Sequence, residues 1–388
     1  MKLLQDILVI DFSQFLSGPS ASLRLADMGA QVIKIERPGI GDICRELYVS
    51  DVVIEGESTI FHAINRNKQS YAADLKNADD LEKIKQLIAK ADVVMHNFRP
   101  GVMERIGLDY ATVKSLNPTV VYAEINGYGE TGEWAALPGQ DLLLQSVSGL
   151  TWLSNNSDAG PTPMGVAVVD ILAGTHVAQG ILAALYGRAV HGEGALVQVS
   201  MLESILDFQF EVLTCFYNDG RQLPVRGAVN SAHAYIAAPY GIYTTNDGYI
   251  ALAMTNISAL ATLLQCPPLL QYSNSEDWFS KRDEIKKVLA NHLLTQPTAV
   301  WLKILEQADV WCAPVFNYDA LVQQEGYRLL EMELTVHTSS GLAVKTTRCP
   351  IRVDGQILTS AKGAPALGEH NAEIDHQFGL NEALVPAS

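Results

Sequence analysis

The sequence predicts an α/β fold: a doubly wound parallel sheet in a large domain, with a smaller α+β domain inserted late in the chain. Three observations predict it. Short buried runs alternate with amphipathic helical segments through the first half of the chain. A hairpin pattern replaces this alternation beyond Leu223-Pro224. Hydrophobic residues make up 48% and charged residues 18% of the 388 residues, which predicts a large core.

The chain begins with a strand–helix–strand unit. Residues 7–11 (ILVID) are predicted as a buried strand, and residues 32–36 (VIKIE) as the next one. In the helix between them, Pro19 suits the first turn and Gly29 suits the stop. Such a unit joins parallel strands, so it predicts a parallel sheet. No GxGxxG follows the first strand, so the dinucleotide-binding fingerprint is absent.

The same alternation continues as far as residue 217. Further strands are predicted at 70–75, 92–96, 119–125 and 195–201, and helices at 79–91, 101–106, 109–116, 141–149 and 202–217. Within this region, Gly165 to Val169 is predicted as a buried strand that leads into a helix ending near Arg188. Asp170 lies at their junction, where an N-cap belongs.

The character of the chain changes near residue 224. Two β-rich runs around Asn246-Asp247-Gly248 predict a hairpin, and three helices are predicted at 257–264, 281–294 and 298–307. We therefore predict a small domain at 225–325. Strand-like runs at 331–338 and 342–348 are predicted to return to the large domain, which comprises 1–224 and 326–388.

Charge and cysteine usage exclude several classes of partner. The net charge of −16 argues against nucleic acid and anionic membranes as general partners. No apolar run reaches the ~18 residues that a membrane span needs, and the N-terminus is predicted as a strand and not as a signal peptide. The five cysteines are scattered without CxxC or Cys/His clusters, so we expect no structural zinc, reduced thiols and a cytoplasmic location.

Basic residues follow several predicted strands. Arg37, Lys76, Arg99 and Arg105 all come after strand ends, with Asn97 beside them. In an open α/β sheet, ligands bind outside the carboxyl ends of the strands, so these side chains are candidates for a polyphosphate site. The alternative is that each is an ordinary surface charge.

Asp170 also has two interpretations. As an N-cap, its carboxylate accepts hydrogen bonds from the free N–H groups of the helix. The same geometry suits a nucleophile, since the helix dipole keeps the carboxylate ionised and fixed in position. The sequence offers no competing constellation: GxSxG and HExxH are absent, and the histidines are isolated.

The run DFSQFLSGPSASLRLADMGAQVIKIERPGIGD resembles the N-terminal signature of the family III CoA-transferases. This family includes formyl-CoA transferases, carnitine CoA-transferases and α-methylacyl-CoA racemases. Further similar blocks follow in the family order: NFRPGVMERIGLDY, LNPTVVYAEINGYGETG, GQDLLLQSVSGL, VVDILAGTHVAQGILAALYGR, DGYIALA and ALGEH. The resemblance covers nearly the whole chain. It implies a Rossmann-like large domain and an interlocked homodimer.

The resemblance also implies a mechanism and a set of contacts. Asp170 is expected to attack an acyl-CoA thioester, forming a mixed anhydride and then an aspartyl-CoA thioester that a small carboxylic acid attacks. CoA or acyl-CoA is then a substrate, with no metal, nicotinamide or flavin. Expected CoA contacts are Leu16, Ser17, Arg37, Ala73, Asp74, Leu75, Lys76, Asn97, Phe98, Arg99 and Arg105. Of these, Arg37 and Arg105 are expected to bind phosphates, and Asn97 and Phe98 to line the adenine or pantetheine path.

Two departures from the family pattern bear on the reaction. Gln140, beside Asp141, stands where the racemases have a catalytic histidine, and glutamine cannot shuttle a proton near neutral pH. This favours a transferase over a racemase or epimerase. The glycine-rich loop of formyl-CoA transferases is replaced by RGAVNSAHAYIAAPYG, in which Arg226, His233 and Tyr235 either contact an acceptor carboxylate or play an ordinary loop role. A catalytically silent acyl-CoA-binding subunit is the remaining alternative.

Overall fold

The computed structural model describes residues 2–47 and 51–380. The strands are β1 Leu8–Asp11, β2 Gln31–Glu36, β3 Val53–Ile54, β4 Glu57–Ser58, β5 Gln69–Ala72, β6 Val93–His96, β7 Val121–Asn126, β8 Ala195–Ser200, β9 Gly241–Thr244, β10 Tyr249–Leu252, β11 Cys312–Pro314, β12 Glu333–His337, β13 Ala343–Thr347, β14 Arg352–Val353 and β15 Gln356–Ile357. The α-helices are α1 Ser17–Asp27, α2 Thr59–Ile64, α3 Ala78–Ile88, α4 Val102–Ile106, α5 Tyr110–Leu116, α6 Asp141–Val147, α7 Leu150–Leu153, α8 Val168–His191, α9 Met201–Phe208, α10 Phe210–Asn218, α11 Ile257–Leu263, α12 Asp277–Ser280, α13 Arg282–Leu293, α14 Thr298–Glu306, α15 Tyr318–Val322, α16 Glu325–Leu330 and α17 Asn371–Phe378.

The chain forms two compact units. Unit 1 runs to Leu144, resumes over Ala167–Phe208 and includes the chain from Leu330 onward, and unit 2 comprises Gln145–Val166 and Gln209–Leu329. Residues 145–166 and 209–224 therefore belong to unit 2, although the predicted large domain includes them. The domain boundaries at 224 and 326 stay a prediction.

Unit 1 contains a six-stranded sheet in the order β5-β2-β1-β6-β7-β8. Every pairing in it is parallel, with Val9 opposite Val32 on one side and Val93 on the other. The predicted α/β fold with a central parallel sheet is confirmed. The strand order reverses between β1 and β6, and the carboxyl ends of strands at such a switch point are where α/β sheets bind ligands.

Helix α8 packs against α1 and against β7 and β8. A Cβ atom on Gly174 would lie 2.6 Å from the carbonyl oxygen of Ser17, so this close approach of two helices requires glycine. At the far end of α8, the Arg188 guanidinium forms an ion pair with Asp92 at 2.7 Å, just before β6. By length and composition α8 is apolar enough to cross a membrane, but its inner face is buried within unit 1, as in a core helix.

The last described helix returns to the edge of the sheet. The Tyr71 hydroxyl donates to Asp375 at 2.7 Å, and the Ala72 N–H donates to the Asn371 side chain at 2.8 Å. The buried His370 accepts from the Ser70 N–H through Nδ1 at 3.2 Å. These contacts attach α17 to β5 within unit 1.

Unit 2 is built on the three-stranded antiparallel sheet β11-β10-β9. The predicted hairpin is confirmed, with Tyr249 opposite Thr244. The three predicted helices are also present as α11, α13 and α14, and their apolar faces bury Leu260, Leu289 and Trp301 against this sheet.

Two local predictions are wrong. The predicted strand at 165–169 does not form, because α8 already begins at Val168. A short apolar run fits a buried strand and a buried helix equally well, and here the helix continues it. The predicted helix over 202–217 is divided at Gln209 into α9 and α10.

Candidate active site

Asp170 lies in the first turn of α8 and does not cap it. The N-cap is Ala167, which makes no side-chain cap hydrogen bond. Asp141 does the capping instead: one carboxylate oxygen accepts from the N–H groups of Val169 at 2.8 Å and Asp170 at 3.2 Å. The N-cap prediction for Asp170 is therefore wrong. Its own carboxyl group is left for other contacts.

The Asp170 carboxyl group contacts the first residue of α1. The hydroxyl and the backbone N–H of Ser17 act on it as hydrogen-bond donors that favour its ionised form. Burial and, to a smaller extent, the negative charge of Asp141 raise the pKa of Asp170 to about 6, with Ser17 opposing the rise. At neutral pH this carboxylate is ionised but poorly solvated, which makes it a stronger nucleophile than an exposed aspartate.

Asn97 follows β6 at the switch point and holds the turn after β1. Its Oδ1 accepts from the Gln14 N–H at 2.8 Å, and its Nδ2 donates to the Gln14 carbonyl at 2.7 Å and to Ser17 Oγ at 3.3 Å. The side chain of Phe98 packs on the sheet core and its ring stacks on His96. Leu16 is half-buried against a small cluster that includes Phe61.

The four basic side chains of the predicted phosphate site are exposed. Arg37, Lys76, Arg99 and Arg105 form no ion pair with any residue in the described ranges. They follow β2, β5 and β6, whose carboxyl ends lie on one edge of the parallel sheet. Four exposed basic side chains thus lie along this edge in a protein of net charge −16.

The neighbouring segment 73–75 offers fewer side chains to a ligand than expected. Ala73 is buried in the sheet core, so its methyl group is not available. Asp74 is exposed, and its carboxylate accepts from the Lys76 N–H at 3.0 Å. Leu75 packs partly against the core. Contacts of these three residues with CoA stay predictions.

Gln140 is exposed and immediately precedes α6. Its carbonyl oxygen accepts from the Leu144 N–H at 3.0 Å. The preceding Gly139 lies so close to Gly127 that a Cβ atom there would be 2.6 Å from the Gly127 Cα. The segment that carries Gln140 and Asp141 is thus packed against the loop that follows β7.

The three candidate acid-pocket residues lie in unit 2 and all have protein partners. The buried Arg226 guanidinium donates to the carbonyl groups of Ser154 at 2.6 Å and Ala159 at 3.0 Å. Nε2 of His233 forms an ion pair with Glu211 at 2.6 Å. Tyr235 donates two hydrogen bonds: its N–H to His233 Nδ1 at 3.1 Å and its hydroxyl to Asp219 at 3.5 Å.

Comparison with known proteins decides the family. The sequence profile described as CoA-transferase family III matches residues 4–371. The chain belongs to CoA-transferase family III.

Its relatives support this over most of their length. The chain is 32% identical to the acetyl-CoA:oxalate CoA-transferase of Acetobacter aceti, over 97% of this chain and 96% of that protein. It is 30% identical to the succinyl-CoA:glutarate CoA-transferase of Mus musculus, over 96% of this chain and 86% of that protein. A CAIB/BAIF family protein from Brucella suis has a similar structure, with a TM-score of 0.83 and 28% identity over 97% of this chain and 99% of that one. The protein is therefore a CoA-transferase.

Sequence reasoning missed a set of buried charges beneath the site of this CoA-transferase. They lie in β1 and β2, in the loop that follows β2 and directly before β5, and they are Asp11, Lys34, Glu36, Asp42, Arg45 and Lys68. A signal was available, since VIKIE places two charged residues in an otherwise apolar strand. Among the described residues, no group of three or more His, Cys, Asp or Glu side chains is arranged to hold a metal ion.

Proposed function

We propose that this CoA-transferase moves CoA from an acyl-CoA donor to a small carboxylic acid, and that Asp170 carries the covalent intermediates. The observation that carries the proposal is the partly buried Asp170 carboxyl group, with a pKa raised to about 6 and with the Ser17 hydroxyl and N–H favouring its ionised form. A carboxylate suits this reaction because it forms an anhydride with an acid and a thioester with CoA.

The reaction proceeds by four acyl transfers. Asp170 Oδ attacks the thioester carbonyl of the donor, and the CoA thiolate leaves with the C–S electron pair, which gives a mixed anhydride. The thiolate attacks the aspartyl carbonyl of this anhydride and releases the donor acid as a carboxylate. The acceptor carboxylate then attacks the aspartyl-CoA thioester and expels the thiolate. Attack of the thiolate on the acceptor acyl carbonyl forms the new acyl-CoA and restores Asp170.

The residues around Asp170 have distinct parts in these steps. The Ser17 N–H and hydroxyl donate to the aspartyl carboxyl group and are placed to stabilise an oxygen on which negative charge develops. Asp141 fixes the first turn of α8 through two N–H groups. Gln140, which has no ionisable group, provides no base for removing an α-proton, so the racemase alternative is not favoured.

We place the phosphates of CoA at the positive edge formed by Arg37, Lys76, Arg99 and Arg105, with Asn97 and Phe98 along the adenine or pantetheine path. Exposed guanidinium groups without carboxylate partners keep their hydrogen-bond donors for phosphate oxygens. The relatives are named for oxalate, glutarate and mesaconate. A small dicarboxylic acid is therefore the acid class that we propose for this chain.

We further propose an interlocked homodimer with no nucleic acid or membrane partner, located in the cytoplasm. Large apolar side chains are exposed on helices of each unit, including Tyr186, Phe210 and Tyr217 at 75%, 66% and 60%. Exposed apolar surface of this kind is typical of a protein–protein interface. Light scattering at micromolar concentration tests the dimer, and a monomer would contradict it.

The decisive experiment is intact-mass spectrometry after brief incubation with a panel of acyl-CoAs, followed by peptide mapping. We expect an acyl or CoA adduct on Asp170 that is absent from Asp170→Ala. CoA binding with no adduct from any donor would contradict the proposal. Incorporation of solvent deuterium at the α-carbon would then identify a racemase, and its absence would identify a silent binding subunit.

A further inference from the structure

The turn between β1 and α1 is held by side chains through nearly all of its backbone polar groups. Over residues 13–15, three N–H groups and two carbonyl groups each have a side-chain partner. The four side chains that supply these partners come from different parts of unit 1: Asp11, Lys34, Asp42 and Asn97. A surface turn normally leaves several such groups to water.

Lys34 and Asp42 hold the middle of this turn as a buried pair. Lys34 Nζ donates to the Ser13 carbonyl at 2.7 Å and lies 2.8 Å from an Asp42 carboxylate oxygen. The other Asp42 oxygen accepts from the N–H groups of Phe15 at 3.2 Å and Cys44 at 2.9 Å. Both charged side chains are at most 1% exposed. Asp11 completes the set by accepting from the Ser13 N–H at 2.9 Å.

Phe15 shows why the turn needs such support. Its φ angle is 63°, in the left-handed region that a bulky residue adopts at a cost of roughly 1–2 kcal/mol per residue. Its side chain is 46% exposed, so packing of the ring does not explain the conformation. The hydrogen bond from its N–H to Asp42 therefore helps to hold the chain in this geometry.

The turn ends two residues later at Ser17, which lies against α8 at Gly174 and whose hydroxyl and N–H favour the ionised form of Asp170. We propose that the buried pair Lys34–Asp42 is a positioning pair for the transferase reaction, which fixes the β1–α1 turn so that Ser17 meets the Asp170 carboxyl group. This inference rests on the proposed role of Asp170. The pair acts through the backbone of the turn and not by contact with substrate.

A purely structural role does not account for the arrangement. Burial of an ion pair is weak evidence for stability, since apolar residues of similar size often replace one without loss. The acidic groups that act on Lys34 are Asp42, Asp11 and Glu36, whereas Asp141 is the charged group that acts on Asp170. Loss of the Lys34 charge thus reaches Asp170 through the position of Ser17.

The chain offers a matched control pair at the other end of α1, the helix that begins at Ser17. Arg66 and Asp27 form a second buried pair, with exposures of 1% and 0%, at the C-terminal end of α1. The test compares Asp42→Asn and the double variant Lys34→Met/Asp42→Asn with Asp27→Asn. Asp42→Asn is the mild change, because an amide oxygen still accepts from the Phe15 N–H. Ser17→Ala removes one of the two hydrogen bonds directly.

Two measurements are made on each folded variant. The first is the pKa of Asp170, obtained by infrared titration of the carboxyl band with Asp170→Asn subtracted, which needs no reaction. The second is the rate of Asp170 adduct formation with an acyl-CoA across pH 5–9. We expect Asp42→Asn and the double variant to raise the pKa of Asp170 by about one pH unit, as loss of a hydrogen bond to the charged form does. Adduct formation at pH 6.5 should fall about threefold, because a smaller fraction of Asp170 is then ionised.

The outcomes separate the two proposals. Asp27→Asn should lower the melting temperature while leaving the pKa of Asp170 and the pH profile unchanged. If Asp42→Asn behaves like this control, the pair is structural and the inference is wrong. If the double variant does not fold, Asp42→Asn and Ser17→Ala still decide the result. If the wild type forms no adduct while the pKa still responds to the pair, the proposed function fails and the positioning role stands.

Discussion

In two turns of this protein, side chains from elsewhere bind the backbone. The two turns differ in the partners of their own polar side chains. In unit 1 the turn over residues 13–15 is held from outside by four side chains, and Ser17 at its end is directed to Asp170. In unit 2 the loop over residues 225–235 is also held from outside, but its own polar side chains are bound to protein groups as well.

The side chains that bind the backbone of the second loop lie within the first turn and a half of α13. Arg282 donates to the carbonyl groups at both ends of the loop, residues 225 and 234, at 2.5 and 2.7 Å. Asp283 accepts from two N–H groups between them, and the buried Lys286 donates to the Asn230 carbonyl at 3.1 Å. The comparison indicates that rigid backbone alone does not mark a reactive site. In unit 1 the rigid turn also ends at a donor, Ser17, that acts on the proposed nucleophile Asp170.

Among the variants that test this comparison, substitutions of Asp170 are expected to have the largest effect. Asp170→Ala should reduce exchange at least a thousandfold, because the proposed nucleophile is removed. Asp170→Asn should be equally inactive yet more stable than the wild type above pH 6, by about 1–3 kcal/mol. The pKa of Asp170 is raised to about 6 in the folded state, so its ionisation opposes folding above that pH and the penalty fades as pH falls towards 4.

Steady-state exchange assays and urea unfolding at pH 5 and pH 8 check these two variants. A variant that retains more than a tenth of wild-type turnover would contradict the assignment of Asp170. Equal stability of wild type and Asp170→Asn at pH 8 would contradict the buried position of this carboxylate.

The next largest effect concerns the positive edge of unit 1. Arg37→Ala and Arg105→Ala should each raise KM for acyl-CoA about tenfold with little change in kcat, because they remove phosphate contacts formed equally in the ground and transition states. The wild-type KM should rise with salt more steeply than that of the variants. Lys114→Ala is the control, since this exposed lysine lies on α5. That helix precedes the amino end of β7, at the opposite edge of the sheet.

A moderate effect is expected from Asp141. Asp141→Asn keeps an oxygen that caps α8 but removes the negative charge that raises the pKa of Asp170. The acid limb of the pH–rate profile, which we expect near pH 6 in the wild type, should therefore move to lower pH. Asp141→Ala should in addition destabilise the protein by about 1 kcal/mol through loss of the cap. An unchanged acid limb in Asp141→Asn would show that the two carboxylates do not interact.

The smallest effect is expected in the unit 2 loop. Tyr235→Phe should change KM for the acceptor acid less than about threefold, because the hydroxyl group makes a long hydrogen bond of 3.5 Å to Asp219. The exchange assay with a saturating donor measures this KM. A tenfold rise would place Tyr235 in the acid pocket and would remove the functional difference between the two turns.

The sequence predicts the sheet well because its signal is local. Buried β-branched runs such as VIKIE and TVVYAEI fall on β2 and β7, and the helices between them require parallel strands. The start of α8 is not predictable in this way, since apolar residues such as Val168 and Val169 suit either kind of element. Asp170 has no local signal that separates a nucleophile from a cap. Its proposed role depends on the family resemblance and on its contact with Ser17.

The pairing of the buried charges beneath the site cannot be predicted from the sequence for a different reason. Lys34 and Asp42 lie in separate segments, and their pairing becomes visible only when the strand order places the end of β2 beside the turn after β1. The capping of α8 by Asp141 is similarly long-range, since 28 residues separate Asp141 from Val169. Patterns along the chain report neighbours within a few residues, so contacts of this kind require the fold.

The ion pair between Arg188 and Asp92 affects the position of the proposed nucleophile, Asp170. Helix α8 holds Asp170 at one edge of the sheet, and 18 residues later, about 27 Å along its axis, Arg188 is tied to Asp92 at the other edge. Side chains from outside the helix therefore hold α8 near both ends: Asp141 at its N-terminus and Asp92 near its C-terminus. These two contacts oppose a shift of α8 along its axis, so the position of the proposed nucleophile depends partly on an ion pair at the opposite edge of the sheet.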